Sequence, residues 1–359
     1  MKHLLTYQLH NIFTGLLFLI FINGKTQSIS EKNLFESEEI IQIILSGDIR
    51  SVLNDRSGKP KKHPVSLTFN KEDKSKMTLP VELQTRGNFR RKKENCNYPP
   101  LWIHFPKTGE HLNSVFGEQN KTKLLMPCQS DEYVIREWLV YKLYNLFTPL
   151  SFRARLIKVK LADPKMKKQQ EPFYAMLLEE EKQLAKRNNL FAVEKSVKPQ
   201  ETQSNPFLMM AVFEYLIGNT DWSVQYLHNV KLLAKDDNAI PITVPYDFDH
   251  AGIVSAPYAM PAEELQMKSV RERRYRGYCV QDMKLFEAVI ERFNKLKNDI
   301  YAVFNDCNLL EEKYIKATLK FLDDFYSTIN NPKEWQNEFK YPCDTNGTGN
   351  IVIKGLKEN

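Results

Sequence analysis

The sequence contains none of several short motifs that mark common enzyme classes. There is no Gly-x-x-x-x-Gly-Lys-Ser/Thr, no Gly-x-Gly-x-x-Gly, no His-Glu-x-x-His and no Gly-x-Ser-x-Gly. These absences argue against a P-loop, a dinucleotide-binding site, a zincin metal centre and the nucleophile elbow of a serine hydrolase. No internal repeat is visible either, which argues against a solenoid or a propeller.

Cysteine is sparse and dispersed, and no Cys-x-x-Cys occurs. A thiolate zinc site is therefore not expected. If the chain is exported, its cysteines can form disulfides. We expect Cys96 to pair with Cys128, and two of Cys279, Cys307 and Cys343 to pair with each other. The odd count leaves one thiol, which we expect to be buried and inert.

Long apolar runs are absent except at the amino terminus, where Ile12 to Ile22 follows Lys2 and His3. Eleven residues are too few for a membrane span, which needs about 20, and match a secretory signal. We therefore predict a signal peptide at 1–27 and a secreted, periplasmic or cell-envelope location. No clear small-x-small triplet precedes Lys25 to Ser30, so an uncleaved membrane anchor stays open.

The overall composition is that of a globular protein. The chain has 359 residues, of which 42% are hydrophobic and 26% charged, with a formal net charge of +7. Basic residues cluster at 86–93 and 271–276, but aromatic residues do not interleave them as in nucleic-acid-binding modules. We expect no nucleic-acid partner, and nothing in the sequence indicates an obligate oligomer, so we expect a monomer.

Alternation and apolar runs predict that the first half is rich in β-structure. The predicted strands are 39–45, 65–69, 77–83, 101–105, 123–126, 152–161 and 173–178, with one helix at 133–147. The second half is predicted to contain helices at 179–188, 207–217, 281–304 and 309–329 and two strands at 229–234 and 240–246. The pattern predicts an α+β bilobal architecture, with a β-rich N-lobe at 28–198, a mainly helical C-lobe at 199–359 and a cleft between them.

Four polar residues of the second half suggest phosphoryl-transfer chemistry. Asp221 follows an apolar helix, Asn229 begins a strand, and Asp247 and Asp249 end the next strand. Phosphoryl transfer uses a carboxylate to orient the acceptor and hard oxygen ligands for a metal ion. Each of these residues alone is better explained as a turn, capping or strand-end residue. Their order, helix, Asp, Asn-strand and strand-Asp, favours the functional interpretation.

With these residues in view, the chain resembles the spore-coat protein H (CotH) kinase-like family of secreted atypical kinases. The resemblance covers most of the chain beyond residue 27 and includes Arg86-Gly87-Asn88, the helix at 133–147, the loop at 219–229 and Tyr246-Asp-Phe-Asp249. It implies a protein-kinase-like fold and transfer of a phosphoryl group from ATP, with Mg²⁺ or Mn²⁺, to a protein or glycan acceptor.

The resemblance also implies roles for individual residues. Asp221 is the implied catalytic base, and Asn229 and Asp247 are the implied metal ligands, with Asp249 beside them. The interval from Asp221 to Asn229 is eight residues, longer than the five expected of related loops.

The lysine that contacts the nucleotide is missing where the resemblance would put it. The chain has Cys96-Asn-Tyr-Pro-Pro100 in place of a Lys-Lys-Pro-Tyr stretch. Lys123 is our replacement as the nucleotide-binding cation, with Arg86 next, and Lys121 shares the strand face of Lys123.

Three further alternatives stay open. One is a catalytically inactive relative that keeps the kinase fold as a binding or scaffolding protein of the cell envelope. Another is a metal-dependent hydrolase that uses Asp221, Asp247, Asp249 and His250. The basic segment 271–276 either binds an acidic acceptor or forms a solvated loop.

Overall fold

A closed barrel of seven strands dominates the first half of the computed structural model, which describes residues 33–165 and 170–343. The predicted signal peptide at 1–27 lies outside these residues. The strands are β1 (Ile41–Gly47), β2 (His63–Asn70), β3 (Lys76–Thr85), β4 (Leu101–His104), β5 (Lys121–Leu125), β6 (Ala154–Ala162) and β7 (Phe173–Leu178). Their order around the barrel is β1-β2-β3-β4-β5-β7-β6.

The barrel closes where β1 pairs with β6 in parallel, from Ile41 opposite Ile157 to Ser46 opposite Ala162. The other barrel pairings are antiparallel. Side chains alternate along the strands, so that Leu79, Val81 and Leu83 of β3 enter the barrel core. All seven predicted strands of the first half are confirmed, with ends that differ by a few residues.

Two helices are largely buried. Helix α2 (Asp131–Phe147) packs against β6 and β7, and α4 (Ser204–Ile217) is buried over most of its length. Gly218 ends α4 in the left-handed conformation with a φ of 68°, as the sequence predicts. Of two short helices, α1 (Ile49–Asn54) packs against β2 and β3 of the barrel, and α3 (Glu181–Arg187) packs against Phe191–Val193, the first strand of a second sheet.

A small antiparallel sheet follows, with the order β10-β9-β8. It consists of β8 (Phe191–Val193), β9 (Val230–Ala234) and β10 (Ile242–Pro245), of which β9 and β10 were predicted. The carboxyl-terminal helices are α5 (Leu285–Lys295), α6 (Lys297–Asn305), α7 (Glu312–Ile329) and α8 (Pro332–Phe339). The single helix predicted at 281–304 is thus two helices that meet at Leu296, and α8 was not predicted.

The predicted fold class, an α+β bilobal protein-kinase-like fold with a mainly helical C-lobe, was wrong. The described residues form a closed seven-stranded mixed barrel, a three-stranded sheet and eight α-helices. The closing pair, β1 with β6, joins strands that are far apart in the sequence, and local alternation carries no information about such a pairing. The described residues belong to one compact unit, and the predicted boundary between 198 and 199 lies inside it.

Two disulfides cross-link the described residues. Cys96 is bonded to Cys128, as predicted. Of the three cysteines in the second half, among which one pair was expected, Cys279 is bonded to Cys343 and Cys307 is a half-buried free thiol. Within residues 33–165 and 170–343, no helix is both long and apolar enough to cross a membrane.

Candidate functional site

A cleft of about 330 Å³ brings the predicted site residues together. Its walls come from the loop between β3 and β4, from β5, and from the segments before β9 and after β10. All six predicted residues line it, namely Arg86, Lys123, Asp221, Asn229, Asp247 and Asp249. The structure therefore gathers into one place residues that lie far apart in the sequence.

Asp221 lies in the loop after α4 and is held from several sides. Its backbone N–H donates to Asn219 Oδ1 at 3.1 Å. His228 Nε2 lies 3.2 Å from Asp221 Oδ1, and Asn229 Nδ2 donates to Asp221 Oδ2 at 3.1 Å. Burial alone would raise the pKa of Asp221, but the hydrogen bond from His228 and the nearby charges of His250 and His228 lower it. The carboxylate is thus ionised and fixed in orientation.

The segments that carry Asn229 and Asp247 are linked by a backbone hydrogen bond at Tyr246, next to Asp247. The N–H of Tyr246 donates to the carbonyl of Asn229 at 3.0 Å. Asn229 has a φ of 52° and Asp247 a φ of 64°, a left-handed conformation that Asn and Asp adopt more readily than most residues. The N–H of Asp247 donates to Tyr141 Oη of α2 at 2.8 Å, so the buried helix fixes this turn.

Lys123 faces Asp247 across the cleft. It lies on β5 and is only 4% exposed, and its Nζ is 3.4 Å from Asp247 Oδ2. Burial lowers the pKa of Lys123, opposed by the charge of Asp247. Burial would raise the pKa of Asp247, but Lys123, Arg90 and Arg86 lower it. The predicted cation and the predicted metal ligand therefore form one ion pair, in which Lys123 is buried and Asp247 half-buried.

Arg86 is the other predicted cation, and it also lines the cleft. Its guanidinium lies 4.7 Å from the centre of the Trp102 ring, with Lys121 Nζ at 4.6 Å from the same ring. Lys121 is engaged by Glu180 at 3.1 Å and does not line the cleft. Of the two lysines on this strand face, Lys123 is the one that reaches the site.

Arg90 is a site residue that the sequence analysis missed. It lines the cleft, is 7% exposed, and its Nη2 donates to Met126 O at 2.6 Å. Its Nη1 lies 3.7 Å from Asp249 and 3.8 Å from Glu137, too far for good hydrogen bonds, and no hydrogen-bond partner is found for Nε or Nη1 among the described residues. The sequence offered only a basic cluster at 86–93, in which buried and exposed cations look alike.

Glu137 was also missed, although its position in the sequence pattern was informative. It sits in α2 at helical spacing from Val134 and Tyr141, where core residues are expected, and it is 1% exposed. Burial, followed by the charges of Asp249 and Asp247, raises its pKa to about 8. Asp249 itself is buried and accepts a hydrogen bond from Tyr258 Oη at 3.1 Å.

A divalent cation fits one part of this arrangement. The two donor hydrogens of the Asn229 amide are directed to Asp221, which leaves its carbonyl oxygen as the ligand group beside the carboxylate of Asp247. Mg²⁺ commonly takes one or two protein ligands and completes its shell with water and substrate phosphates. Asp249 is paired with Arg90 and Tyr258, and no group of three His, Cys, Asp or Glu residues suited to a metal occurs among the described residues. The donors thus suit a cation that arrives with a phosphate ligand.

The basic segment at 271–276 is largely structural. Arg273 packs on the Phe321 ring at 3.6 Å and donates to Leu216 O, and Arg276 is buried and donates to Thr220 O and Trp222 O. The two bonds of Arg276 hold the residues on either side of Asp221. Arg271 and Arg274 are the exposed arginines of the segment, and Arg271 donates to Gly252 O and Ser255 Oγ.

No protein-family model matches this chain, and no curated protein matches it in sequence. The likeness to the CotH kinase-like family, seen at residues 86–88 and 246–249, therefore stays a prediction. The protein-kinase-like fold that the likeness implied is not the fold of this chain.

Proposed function

We propose that the cleft binds ATP together with Mg²⁺ or Mn²⁺ and supports transfer of a phosphoryl group to a hydroxyl of a protein or glycan. One observation carries this proposal: a cationic wall formed by Lys123, Arg86 and Arg90 faces an oxygen-rich wall formed by Asp221 and Asp247 within about 330 Å³. Anion-binding and metal-binding groups in one cleft are the parts that phosphoryl transfer needs.

The cationic wall holds the phosphates. Arg90 is buried with unused donor capacity, and its planar fork suits phosphate oxygens. Lys123 adds a point charge that is already desolvated, so its attraction for an anion is little screened by water.

The oxygen-rich wall holds the cation. Asp247 and the carbonyl oxygen of Asn229 would bind Mg²⁺ or Mn²⁺, and the bound cation would neutralise charge on the phosphates. Lys123 competes with that cation for Asp247 Oδ2, so we expect the 3.4 Å ion pair to loosen when the metal and nucleotide enter together.

Asp221 takes the role of the base. The hydrogen bonds from His228 and Asn229 orient its carboxylate and keep it ionised at neutral pH. A carboxylate in this state would accept the proton of an acceptor hydroxyl, or orient that hydroxyl, as its oxygen bonds to the γ-phosphorus of ATP and the bond from that phosphorus to ADP breaks.

A second function is favoured by the same contacts. Both carboxylate oxygens of Asp221 already accept or share a hydrogen bond, with His228 and with Asn229. A carboxylate that already accepts hydrogen bonds on both oxygens is a weaker proton acceptor, so a binding protein that captures a nucleotide or another phosphorylated ligand without transfer is the alternative. This alternative corresponds to the catalytically inactive binding or scaffolding protein that the sequence left open, but without the protein-kinase-like fold.

The location of this activity is part of the proposal. The apolar run at residues 12–22 and the two disulfides support a secreted, periplasmic or cell-envelope protein. The acceptor is then a protein or glycan of that compartment, with no nucleic-acid partner.

Phosphoryl transfer is tested with ATP labelled at the γ-phosphate, with Mg²⁺ or Mn²⁺, and with the chain itself and an envelope extract as acceptors. Label that enters protein or glycan, and is lost in Asp221→Asn, supports transfer. Label released only as inorganic phosphate indicates a hydrolase. Binding of ATP without transfer or release supports the binding protein.

A further inference from the structure

The wall of the cleft that carries Arg86 and Arg90 belongs to an irregular loop, residues 86–100, which we call the cleft loop. It connects β3 to β4, whose ends are already paired at Thr85 and Leu101. The loop contains no helix or strand, and the ladder of the barrel extends into it at its base, where the N–H of Arg86 donates to the carbonyl of Pro100 at 2.9 Å. The conformation of the rest of the loop must be set by other contacts.

Two groups outside the cleft supply those contacts. The Cys96–Cys128 disulfide joins the loop to the chain just after β5, and the N–H of Asn97 donates to Cys128 O at 3.3 Å. Arg56, just after α1, donates to the carbonyls of Arg91 at 3.1 Å, Cys96 at 2.8 Å and Asn97 at 2.6 Å. Neither the disulfide nor Arg56 lines the cleft.

The link from these groups to the site is short. Cys128 lies two residues after Met126, whose carbonyl accepts the hydrogen bond from Arg90 Nη2. Inside the loop, Asn95 Nδ2 donates to the carbonyl of Phe89 at 2.8 Å, which connects the disulfide end to the Phe89–Arg90 corner. Phe89 in turn contacts the rings of His250 and Tyr258 on the far side of the cleft.

We propose that the Cys96–Cys128 disulfide and Arg56 are positioning groups for the anion-binding wall, so that the affinity of the cleft for a nucleoside triphosphate depends on this one disulfide being closed. The inference rests on the proposed function. Without the cross-link the cleft loop samples more conformations, and a ligand must then order Arg86 and Arg90 at the cost of its binding energy.

The chain contains its own control for this proposal. The Cys279–Cys343 disulfide closes a longer stretch of chain, 64 residues against 32, and links the segment before α5 to the segment after α8. A longer closed loop stabilises at least as much in the chain-entropy model. Loss of this control disulfide should therefore lower Tm at least as much, without releasing the cleft loop.

The test compares Cys96→Ser/Cys128→Ser with Cys279→Ser/Cys343→Ser, both in a Cys307→Ser background that removes the free thiol. Dissociation constants for Mg²⁺ and ATP are measured well below the Tm of each protein. We expect about tenfold or greater weakening in the first variant and less than about threefold in the second. Equal affinities in the two variants overturn the proposal.

Reduction gives a second test on the same proteins. An added dithiol passes two electrons and two protons to the disulfide and is itself oxidised, leaving Cys96 and Cys128 as thiols. The protein that keeps only Cys96–Cys128 should lose affinity on reduction, whereas the protein that keeps only Cys279–Cys343 should not change. Arg56→Lys, which keeps the charge but cannot reach three carbonyls together, should weaken binding by a similar factor.

Amide hydrogen exchange separates failure of this inference from failure of the proposed function. We expect residues 86–95 to exchange faster in Cys96→Ser/Cys128→Ser, while residues 219–222 do not, and this result needs no ligand. If ATP binds no variant, the proposed function fails. If the exchange of residues 86–95 is also unchanged, the positioning role fails with it.

Discussion

Lys123 Nζ lies 3.4 Å from Asp247 Oδ2, and this pair joins the barrel to the turn that follows β10. Lys123 is almost completely buried, whereas the side chain of Asp247 is 30% exposed toward the cleft. The pair is therefore open on the side from which a ligand would enter. The same two residues thus form a structural ion pair and part of the proposed ligand site.

Replacing Lys123 tests both roles of this pair. Lys123→Met should lower the free energy of unfolding by roughly 1–3 kcal/mol, because Asp247 loses its nearest partner, and should weaken ATP binding about tenfold or more. Lys121→Met is the matched control on the same strand, since its pair with Glu180 is more exposed and should contribute about 0–1 kcal/mol. Urea unfolding and calorimetry measure the two effects, and equal losses of affinity in both variants would contradict the assignment of Lys123.

Glu137 should make stability fall as pH rises. Its usual pKa of 4.5 applies in the unfolded chain, and burial raises the pKa in the folded chain to about 8. Between these values the folded chain keeps a proton that the unfolded chain has lost. The free energy of unfolding therefore decreases by up to about 1.4 kcal/mol per pH unit and levels off above pH 8.

Glu137→Gln removes this titration and keeps the shape of the side chain. The variant should gain stability relative to the parent between pH 5 and pH 8, by on the order of 2–4 kcal/mol at the upper end. Denaturant unfolding at several pH values measures the difference. A difference that stays constant with pH would show that Glu137 is ionised in both states.

The basic segment at 271–276 contains a buried arginine, Arg276, and an exposed arginine, Arg274, and their replacement should have different effects on stability. Arg276→Gln should cost roughly 2–4 kcal/mol, because the carbonyls of Thr220 and Trp222 lose a buried donor, and should disturb Asp221 between them. Arg274→Gln should change stability by less than about 0.5 kcal/mol, since the side chain is exposed. Thermal unfolding compares the two, and a large effect of Arg274 instead would indicate a role that the contacts do not reveal.

Gly252 links the segment that carries Asp247 and Asp249 to the segment that carries Asp221. Its N–H donates to Gly218 O at 3.0 Å, and a Cβ at this position would lie 2.2 Å from Val270 O. Gly252→Ala should therefore destabilise by roughly 1–3 kcal/mol, through overpacking against backbone. Gly58→Ala, where a Cβ meets nothing within 4 Å, is the control and should be nearly neutral. Similar Tm values for the two variants would contradict this account.

The sequence predicted most of the strands and the acidic residues because both depend on local pattern. Alternation located the barrel strands, and Gly218 marked the end of α4. The closed barrel was beyond reach, since β1 and β6 pair across a long stretch of chain. The protein-kinase-like fold expected from the resemblance was wrong for the same reason, because the resemblance rests on short local motifs and these do not report a long-range pairing.

The site residues divide in the same way into those that local pattern predicted and those that it did not. Asp221, Asn229, Asp247 and Asp249 stood out as acids and an amide at element ends, and Lys123 as a cation on a strand. Arg90 did not stand out, because its burial depends on the cleft loop folding back onto Met126 and Asp249. Long-range contacts decide which cation of a basic run enters a site, and local pattern does not report them.

The most direct test of the central claim is calorimetric titration of ATP into the full chain, with and without Mg²⁺, for the parent, Asp247→Asn and Asp323→Asn. Asn keeps the left-handed turn at 247, so the first variant removes charge with little change of backbone. Asp323 lies outside the cleft, paired with Tyr301. We predict Mg²⁺-dependent binding in the parent and in Asp323→Asn, and binding at least about tenfold weaker in Asp247→Asn. No binding by the folded parent, or equal binding by all three proteins, would contradict the claim that this cleft is a metal–nucleotide site.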